Sequence, residues 1–185
     1  MRIVAGKYRS KKLYTPKNMD VRPTSERARE ALFNIINSRF GADYSGFDLL
    51  DIFAGTGAFG FEGLSRGVNS VTFIDINTEL VKKNASLFVS DKEKIKIIQS
   101  DATNLPRASK KYNFVFSDAP YDKGLSEKAL AQLGLKGWLD EGALCIVEIR
   151  HSESFVLPQN FAQLDERIYG QAKVLFLRFS DSKIN

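Results

Sequence analysis

Residues 51–60 read Asp51-Ile52-Phe53-Ala54-Gly55-Thr56-Gly57-Ala58-Phe59-Gly60. Phe47–Phe53 is an apolar run of strand length, and Gly57–Ser65 has a helical pattern that stops at Gly67. Gly55, Gly57 and Gly60 therefore form G-x-G-x-x-G between a strand and a helix, where glycine permits a tight turn and lets a ligand approach the main chain. Outward from this loop, strands and helices alternate. Ser70–Ile74, Lys94–Ile98, Tyr112–Ser117 and Ala143–Ile149 read as strands, and Thr78–Val89 and Ser126–Leu133 as helices. The tail gives two further strands, Gln163–Tyr169 and Lys173–Phe179, joined at Gly170 with no helix between them. The pattern predicts an α/β fold: a mostly parallel seven-stranded sheet with helices on both faces and a closing hairpin that puts an antiparallel strand at one edge. Ligands of such sheets bind beyond the carboxyl ends of the strands, where the strand order reverses.

Upstream, residues 2–5 and 11–14 are expected to pair as a short hairpin around Gly6–Ser10. Thr24 or Ser25 is expected to cap a helix to Arg39, with a buried stripe of Ala28, Ala31, Leu32, Ile35 and Ile36. The organisation read from this is a basic N-terminal hairpin arm, residues 1–23, followed by one α/β domain, residues 24–185. The formal net charge is +5, yet residues 1–30 alone carry nine basic side chains against three acidic ones, so the rest of the chain is close to neutral. A basic face at one end suits an anionic polymer, because phosphate contacts release counterions. Arg2, Lys7, Arg9, Lys11, Lys12 and Arg22 are the candidate contacts, with Tyr8 and Tyr14 among them as possible stacking faces.

Composition narrows the rest. The chain has 185 residues, 43% hydrophobic and 26% charged, which excludes a disordered chain and leaves enough length for a core that needs no staple. One cysteine, Cys145, excludes an intrachain disulfide, and a single histidine, His151, argues against a His-rich metal site or a hydrolase triad. Cys145 lies mid-strand and reads as a buried structural residue; His151 reads as an exposed loop residue without a role. No apolar stretch approaches the roughly 18 residues of a membrane span, and charge interrupts the start too early for a signal peptide. A reducing, cytoplasmic setting, no metal and no membrane are the expectations.

The acids next to the glycine loop choose the ligand. Asp51 would repel the pyrophosphate of a dinucleotide but attract a ligand bearing an ammonium group. S-adenosyl-L-methionine carries an ammonium and a sulfonium, its ribose diol suits Asp75, and its adenine amino group suits Asp101. A second loop, Ser117-Asp118-Ala119-Pro120-Tyr121, follows the fourth strand. An exocyclic amino group of a nucleobase is a poor nucleophile, because its lone pair is delocalised into the ring. The Asp118 carboxylate and the carbonyl of Ala119 or Pro120 could each accept one of its N–H bonds and aim the lone pair at a methyl group. Pro120 stiffens the loop and Tyr121 offers a stacking face. In-line transfer would draw its rate from alignment and preorganised electrostatics.

Taken together, these residues resemble the bacterial 16S ribosomal RNA guanine-N2 methyltransferases of the RsmD type, essentially end to end. The resemblance rests on Met1-Arg2-Ile3-Val4-Ala5-Gly6, Arg22-Pro23-Thr24, Arg27, Arg29-Glu30, Leu32-Phe33-Asn34, Asp51–Gly57, Gly60, Glu62, Leu64-Ser65-Arg66 and Asp118–Tyr121. It implies a Rossmann-like fold that uses S-adenosyl-L-methionine, and a guanine of 16S rRNA in the assembled 30S subunit as substrate. The donor residues it implies are Thr24, Asp51, Ala54, Gly55, Gly57, Asp75, Ile76, Asp101 and Ala102; the catalytic ones are Asp118, Ala119, Pro120 and Tyr121. Ala119 departs from the family's usual first proline, so a φ constraint is lost and a looser loop is expected. A monomer is expected. The same loop chemistry would serve a DNA adenine-N6 methyltransferase, though such enzymes usually carry an added recognition domain. The glycine loop alone would serve a nicotinamide oxidoreductase, and the fold could persist in a non-catalytic RNA-binding assembly factor.

Overall fold

The computed structural model describes residues 1–16 and 23–181. Helix α1 (Pro23–Phe40) leads into β1 (Asp48–Ile52), α2 (Ala58–Arg66), β2 (Ser70–Asp75), α3 (Glu79–Ala85), a 3₁₀ turn (Val89–Lys94) and β3 (Ile95–Gln99). Then come β4 (Tyr112–Asp118), α4 (Leu125–Leu135), β5 (Leu139–Arg150), β6 (Phe161–Tyr169) and β7 (Ala172–Phe179). The seven strands form one sheet in the order β3-β2-β1-β4-β5-β7-β6. The β1, β2, β3, β4 and β5 pairings are parallel, and β7 is antiparallel to both β5 and β6. No helix among the described residues is long and apolar enough to cross a membrane.

Each face of the sheet has its own core. One holds Leu32, Phe33 and Ile36 of α1, Phe59, Phe61 and Leu64 of α2, and Val81 and Phe88. The other holds Ala129, Leu130 and Leu133 of α4 with Leu105, Trp138 and Cys145. Phe59, in the first turn of α2, stacks on Phe116 of β4 (3.8 Å, 6°) and on Phe33 of α1 (4.8 Å, 24°). Burying rings of this size contributes roughly 1.5–3 kcal/mol each, and here it fixes where the glycine loop ends.

Several expectations are corrected. The antiparallel strand is not at the edge: β7 lies between β5 and β6. Val174–Leu177 are buried on both faces, whereas β6 exposes Gln163, Glu166 and Arg167, a polar pattern suited to an edge. Helix α1 begins at Pro23, so neither Thr24 nor Ser25 is its cap; proline at the first helical position has φ pre-set and no N–H to satisfy. Its buried stripe is rotated to Arg29, Leu32, Phe33 and Ile36, with Ala28, Ala31 and Ile35 half-buried. The helix expected over residues 78–89 ends at Ala85, because the chain then turns Phe88 inward to stack on Phe61 (4.5 Å, 3°).

The N-terminal hairpin is reduced to a single bridge, Arg2 to Lys12, flanked by bonds from Ile3 N–H to Lys11 C=O and from Ser10 N–H to Ile3 C=O. The ladder cannot continue because the next donors are taken. Val4 and Ala5 give their N–H groups to the Glu62 carboxylate (2.8 and 3.0 Å), and Tyr14 N–H bonds Asn84 Oδ1 (2.7 Å). Ile3 and Leu13 are buried in the same core as α1 and α2.

Glu62 is the node of this arrangement. It is fully buried in α2 and also accepts from Arg29 Nε (3.3 Å) and Arg66 Nε (2.9 Å). Burial pulls the Arg29 pKa down, and the Glu62 charge opposes that shift. Removing one partner of a buried ion pair leaves the other uncompensated, at a cost of roughly 3–5 kcal/mol. We therefore expect Glu62→Ala to lose stability on that scale, seen as a lower urea midpoint with an unchanged slope, and to release the first five residues to rapid amide exchange.

Candidate functional site

The parallel register of β1 with its two neighbours sets the site. Asp51 pairs with Phe73 of β2 and Phe116 of β4, so Asp51, Asp75 and Asp118 all reach the carboxyl edge of the sheet at adjacent strand ends. Asp51 is buried, and its Oδ2 accepts the Gly60 N–H at 2.9 Å. Burial drives its pKa well upward, the Gly60 bond opposes that, and the charges of Asp118 and Asp75 add to it. None of these three acids has an ion-pair partner among the described residues. Asp51 and Asp118 are held toward their neutral forms, and a bound cation would favour their ionisation.

The glycine loop is bent to leave this edge open. Phe53 has φ 56, a left-handed conformation that a bulky residue adopts only at a cost of roughly 1–3 kcal/mol. Gly55 (φ 53) gives its N–H to Asp75 Oδ2 at 2.8 Å, and a Cβ placed on it would meet nothing within 4 Å. Gly57 (φ 75) differs: a Cβ there would lie 2.7 Å from Phe61 and 2.8 Å from Val81. Gly55 thus faces open space and Gly57 seats the loop on α2 and α3. Gly55 and Asp75 line a cavity of about 220 Å³ together with Asn77, Glu79 and Leu80. The last three were not expected from sequence; their position directly after the Asp75 strand was the available signal.

The other expected donor residues that are described do not line this cavity. Ala54 is half-buried in the loop, and its N–H bonds the Ile74 carbonyl. Ile76 is 72% exposed beside Asp75. Asp101 is exposed after β3, with Oδ1 accepting from both the N–H and the hydroxyl of Thr103 (2.8 and 2.7 Å), which lowers its pKa. Ala102 is buried in the α4-side core, so only its main chain can reach a ligand. Arg22 lies outside the described residues, and Thr24 is described only as a position in the first turn of α1. Asn84, also missed, is fully buried and donates from Nδ2 to the carbonyls of Tyr14 (3.1 Å) and Thr56 (2.9 Å), tying the N-terminal segment to the glycine loop.

Asp118 ends β4, Ala119 is buried and Pro120 is exposed. Asp118 is exposed, and its pKa is directed upward, by desolvation first and the Glu148 charge second. Water in the open cleft screens part of that shift. Tyr121 is half-buried, and its hydroxyl donates to Glu148 Oε1 at 2.9 Å; burial and the nearby carboxylates push the phenol upward, so it stays neutral. Cys145 is fully buried and His151 is exposed, as expected from sequence.

The family model described as Conserved hypothetical protein 95 matches residues 1–178. Ribosomal RNA small subunit methyltransferase D of Haemophilus influenzae is 31% identical over 176 residues, covering 92% of this chain and 89% of that protein. The chain belongs to the RsmD-type methyltransferase family. The protein of the same name from Escherichia coli K12 is 32% identical over 182 residues, covering 92% of this chain and 86% of that one. The solved structure described as "Putative methyltransferase yhhF from Escherichia coli" superposes with a TM-score of 0.83 at 28% identity, over 98% of this chain and 99% of that chain. The fold of the RsmD-type family, a Rossmann-like methyltransferase fold, is therefore the fold described above.

Of the basic residues expected to meet an anionic polymer, two are already engaged. Arg2 pairs with Glu26 (3.1 Å), and Lys7 pairs with Asp91 (2.8 Å), which also accepts from the Tyr8 hydroxyl (2.7 Å). Lys11 lies over the Tyr8 and Phe88 rings (5.4 and 5.7 Å). Arg9 and Lys12 are exposed and have no ion pair among the described residues. A larger cavity, about 450 Å³, lies between this segment and α1, with Arg2, Arg9, Arg27 and Glu26 in its wall. It holds none of the strand-end acids, whereas the smaller one has Asp75 in its wall.

A carboxyl whose pKa is higher in the folded state binds more protons there than in the unfolded chain, so it subtracts stability as pH rises from the ordinary carboxylate range near ~4 through the raised value. Asp118→Asn is therefore expected to be more stable than the parent at pH 7, by about 0.5 kcal/mol, at the low end for a single stabilising change because the cleft is wet. Urea midpoints measured across pH should show the two chains converging below pH ~4.

Proposed function

We propose that this chain transfers a methyl group from S-adenosylmethionine to the exocyclic N2 amino group of a guanine in 16S rRNA, presented by the assembled 30S subunit. The observation that carries the reading is the set of three acids at adjacent strand ends, unpaired among the described residues, the third of which opens the loop that would hold an amino group. When bound, the donor supplies an electrophilic methyl on a sulfonium. Asp51 faces its cationic end, Asp75 accepts from the ribose hydroxyls, and Asp101 accepts from the adenine amino group. Gly55 leaves room for the donor, Gly57 seats the loop, and Ile76 gives an exposed apolar surface beside the ribose acid. The residues present fit a cationic donor and oppose a pyrophosphate. Thr24, Ala54 and Ala102 complete the donor's surroundings in this reading.

At the acceptor side, Asp118 takes one N–H of the amino group, and the Ala119 or Pro120 carbonyl takes the other. That geometry favours a pyramidal nitrogen whose lone pair points at the methyl, and Tyr121 stacks on the base. Small-subunit rRNA as substrate follows the names of the relatives. Arg9 and Lys12 would meet phosphates, and Arg2, Lys7, Lys11 and Arg22 are the other basic candidates.

Mass spectrometry of nucleosides from 30S particles treated with the full chain is expected to show new N2-methylguanosine, with none from naked DNA. Asp118→Asn should lower the rate by about 10²–10³ while donor affinity stays near that of the parent. N6-methyladenine in DNA, or unchanged turnover in the variant, would reject the reading. A separate measurement tests the basic segment: replacing Arg9 and Lys12 with Gln should reduce the log–log salt slope of 30S binding by about 0.7–0.9 per lost phosphate contact. An unchanged slope would show that they do not meet phosphate.

A further inference from the structure

Strand β5 grips the Asp118 loop from the side. Asp118 pairs in register with Glu148, and Arg150 lies two residues further along, on the same face of β5. The Glu148 carboxylate accepts the Tyr121 hydroxyl at 2.9 Å. The Arg150 guanidinium carbon is 5.4 Å from the Tyr121 ring centroid, and Arg150 Nε lies 2.9 Å from Oδ2 of Asp122. Asp122, directly after Tyr121, has φ 61, so the loop turns sharply out of its extended path just after the ring. The tyrosine is thus held at its hydroxyl, along one face and through its neighbour's carboxylate. Ala119, where the family resemblance implies proline, fixes no φ of its own. Any stiffness of this loop must come from contacts made after it.

We propose that Glu148 and Arg150 are positioning residues that hold the Tyr121 ring, by its hydroxyl and one face, so that the other face receives the target base. The clamp replaces the constraint that a proline at 119 would give. This rests on the reading of Asp118–Tyr121 as the loop that holds the base. The anchored hydroxyl is the part that a phenylalanine at this position could not make, and the acceptor, not the charge, is what the clamp requires of Glu148.

The test is steady-state methyl transfer to 30S particles by the full chain and its Tyr121→Phe, Glu148→Ala, Glu148→Gln and Tyr121→Phe/Glu148→Ala variants. Tyr121→Phe and Glu148→Ala should each raise KM for the particle about 3–10-fold, the scale of one lost hydrogen bond, with KM for the donor unchanged. The double variant should be no worse than either single one. Glu148→Gln, whose amide oxygen still accepts, should stay within about two-fold of the parent. Unchanged KM in both single variants, multiplying effects in the double one, or a Glu148→Gln as impaired as Glu148→Ala would overturn the proposal. Absence of transfer by the unaltered chain would instead refute the base-methylating reading. The hold on the ring is then judged separately by nuclear magnetic resonance of the Tyr121 hydroxyl proton: protection lost in Glu148→Ala upholds the anchoring of the ring by Glu148, and no difference from the parent overturns it.

Discussion

The parallel pairing of β1 with β2 on one side and β4 on the other is the constraint from which the site follows. Consecutive elements β1, α2 and β2 wind one way, and β4 returns on the opposite flank of β1, so the strand order reverses there. Because parallel strands share a direction, their final residues arrive at one edge. Asp51, Asp75 and Asp118 are far apart in sequence and neighbours in space for this reason alone. Like charges brought together and partly buried are unfavourable without a counterion. The fold accepts that cost at one place, where a cationic ligand would remove it. The left-handed Phe53 is a second local cost at the same edge.

The N-terminal segment supports this edge. Glu62 collects two main-chain donors from residues 4 and 5 and two arginines from α1 and α2, while Asn84 links Tyr14 to Thr56. The glycine loop is therefore tied to the N-terminal segment through Asn84. Buried polar groups so fully partnered tend to specify one arrangement rather than to add much stability. Lys7 and Arg2 serve the same bracing, so positive charge in this segment has both a structural and an outward-facing part.

Much of this was legible in the residues. The seven strands, the glycine loop, the parallel order and the acids at strand ends follow from apolar runs and the position of Gly55 and Gly57. What was not legible depends on tertiary partners. The N-terminal ladder stops because a carboxylate 57 and 58 residues away takes its donors. Helix α3 ends early because Phe88 finds Phe61. Pattern alone put the antiparallel strand of the closing hairpin at an edge; two-sided burial puts it, as β7, inside. The role of Glu148 was invisible because an acid in a strand carries no local signal until its partner, Tyr121, is placed across from it.

In the proposed function the acidic edge selects a cationic methyl donor over an anionic dinucleotide. Calorimetric titration of the full chain with S-adenosylmethionine, and separately with NAD, tests it most directly. Saturable binding of the methyl donor, weakened by Asp51→Asn, with none of NAD, is the expected result. Binding of NAD with no binding of the methyl donor would contradict it.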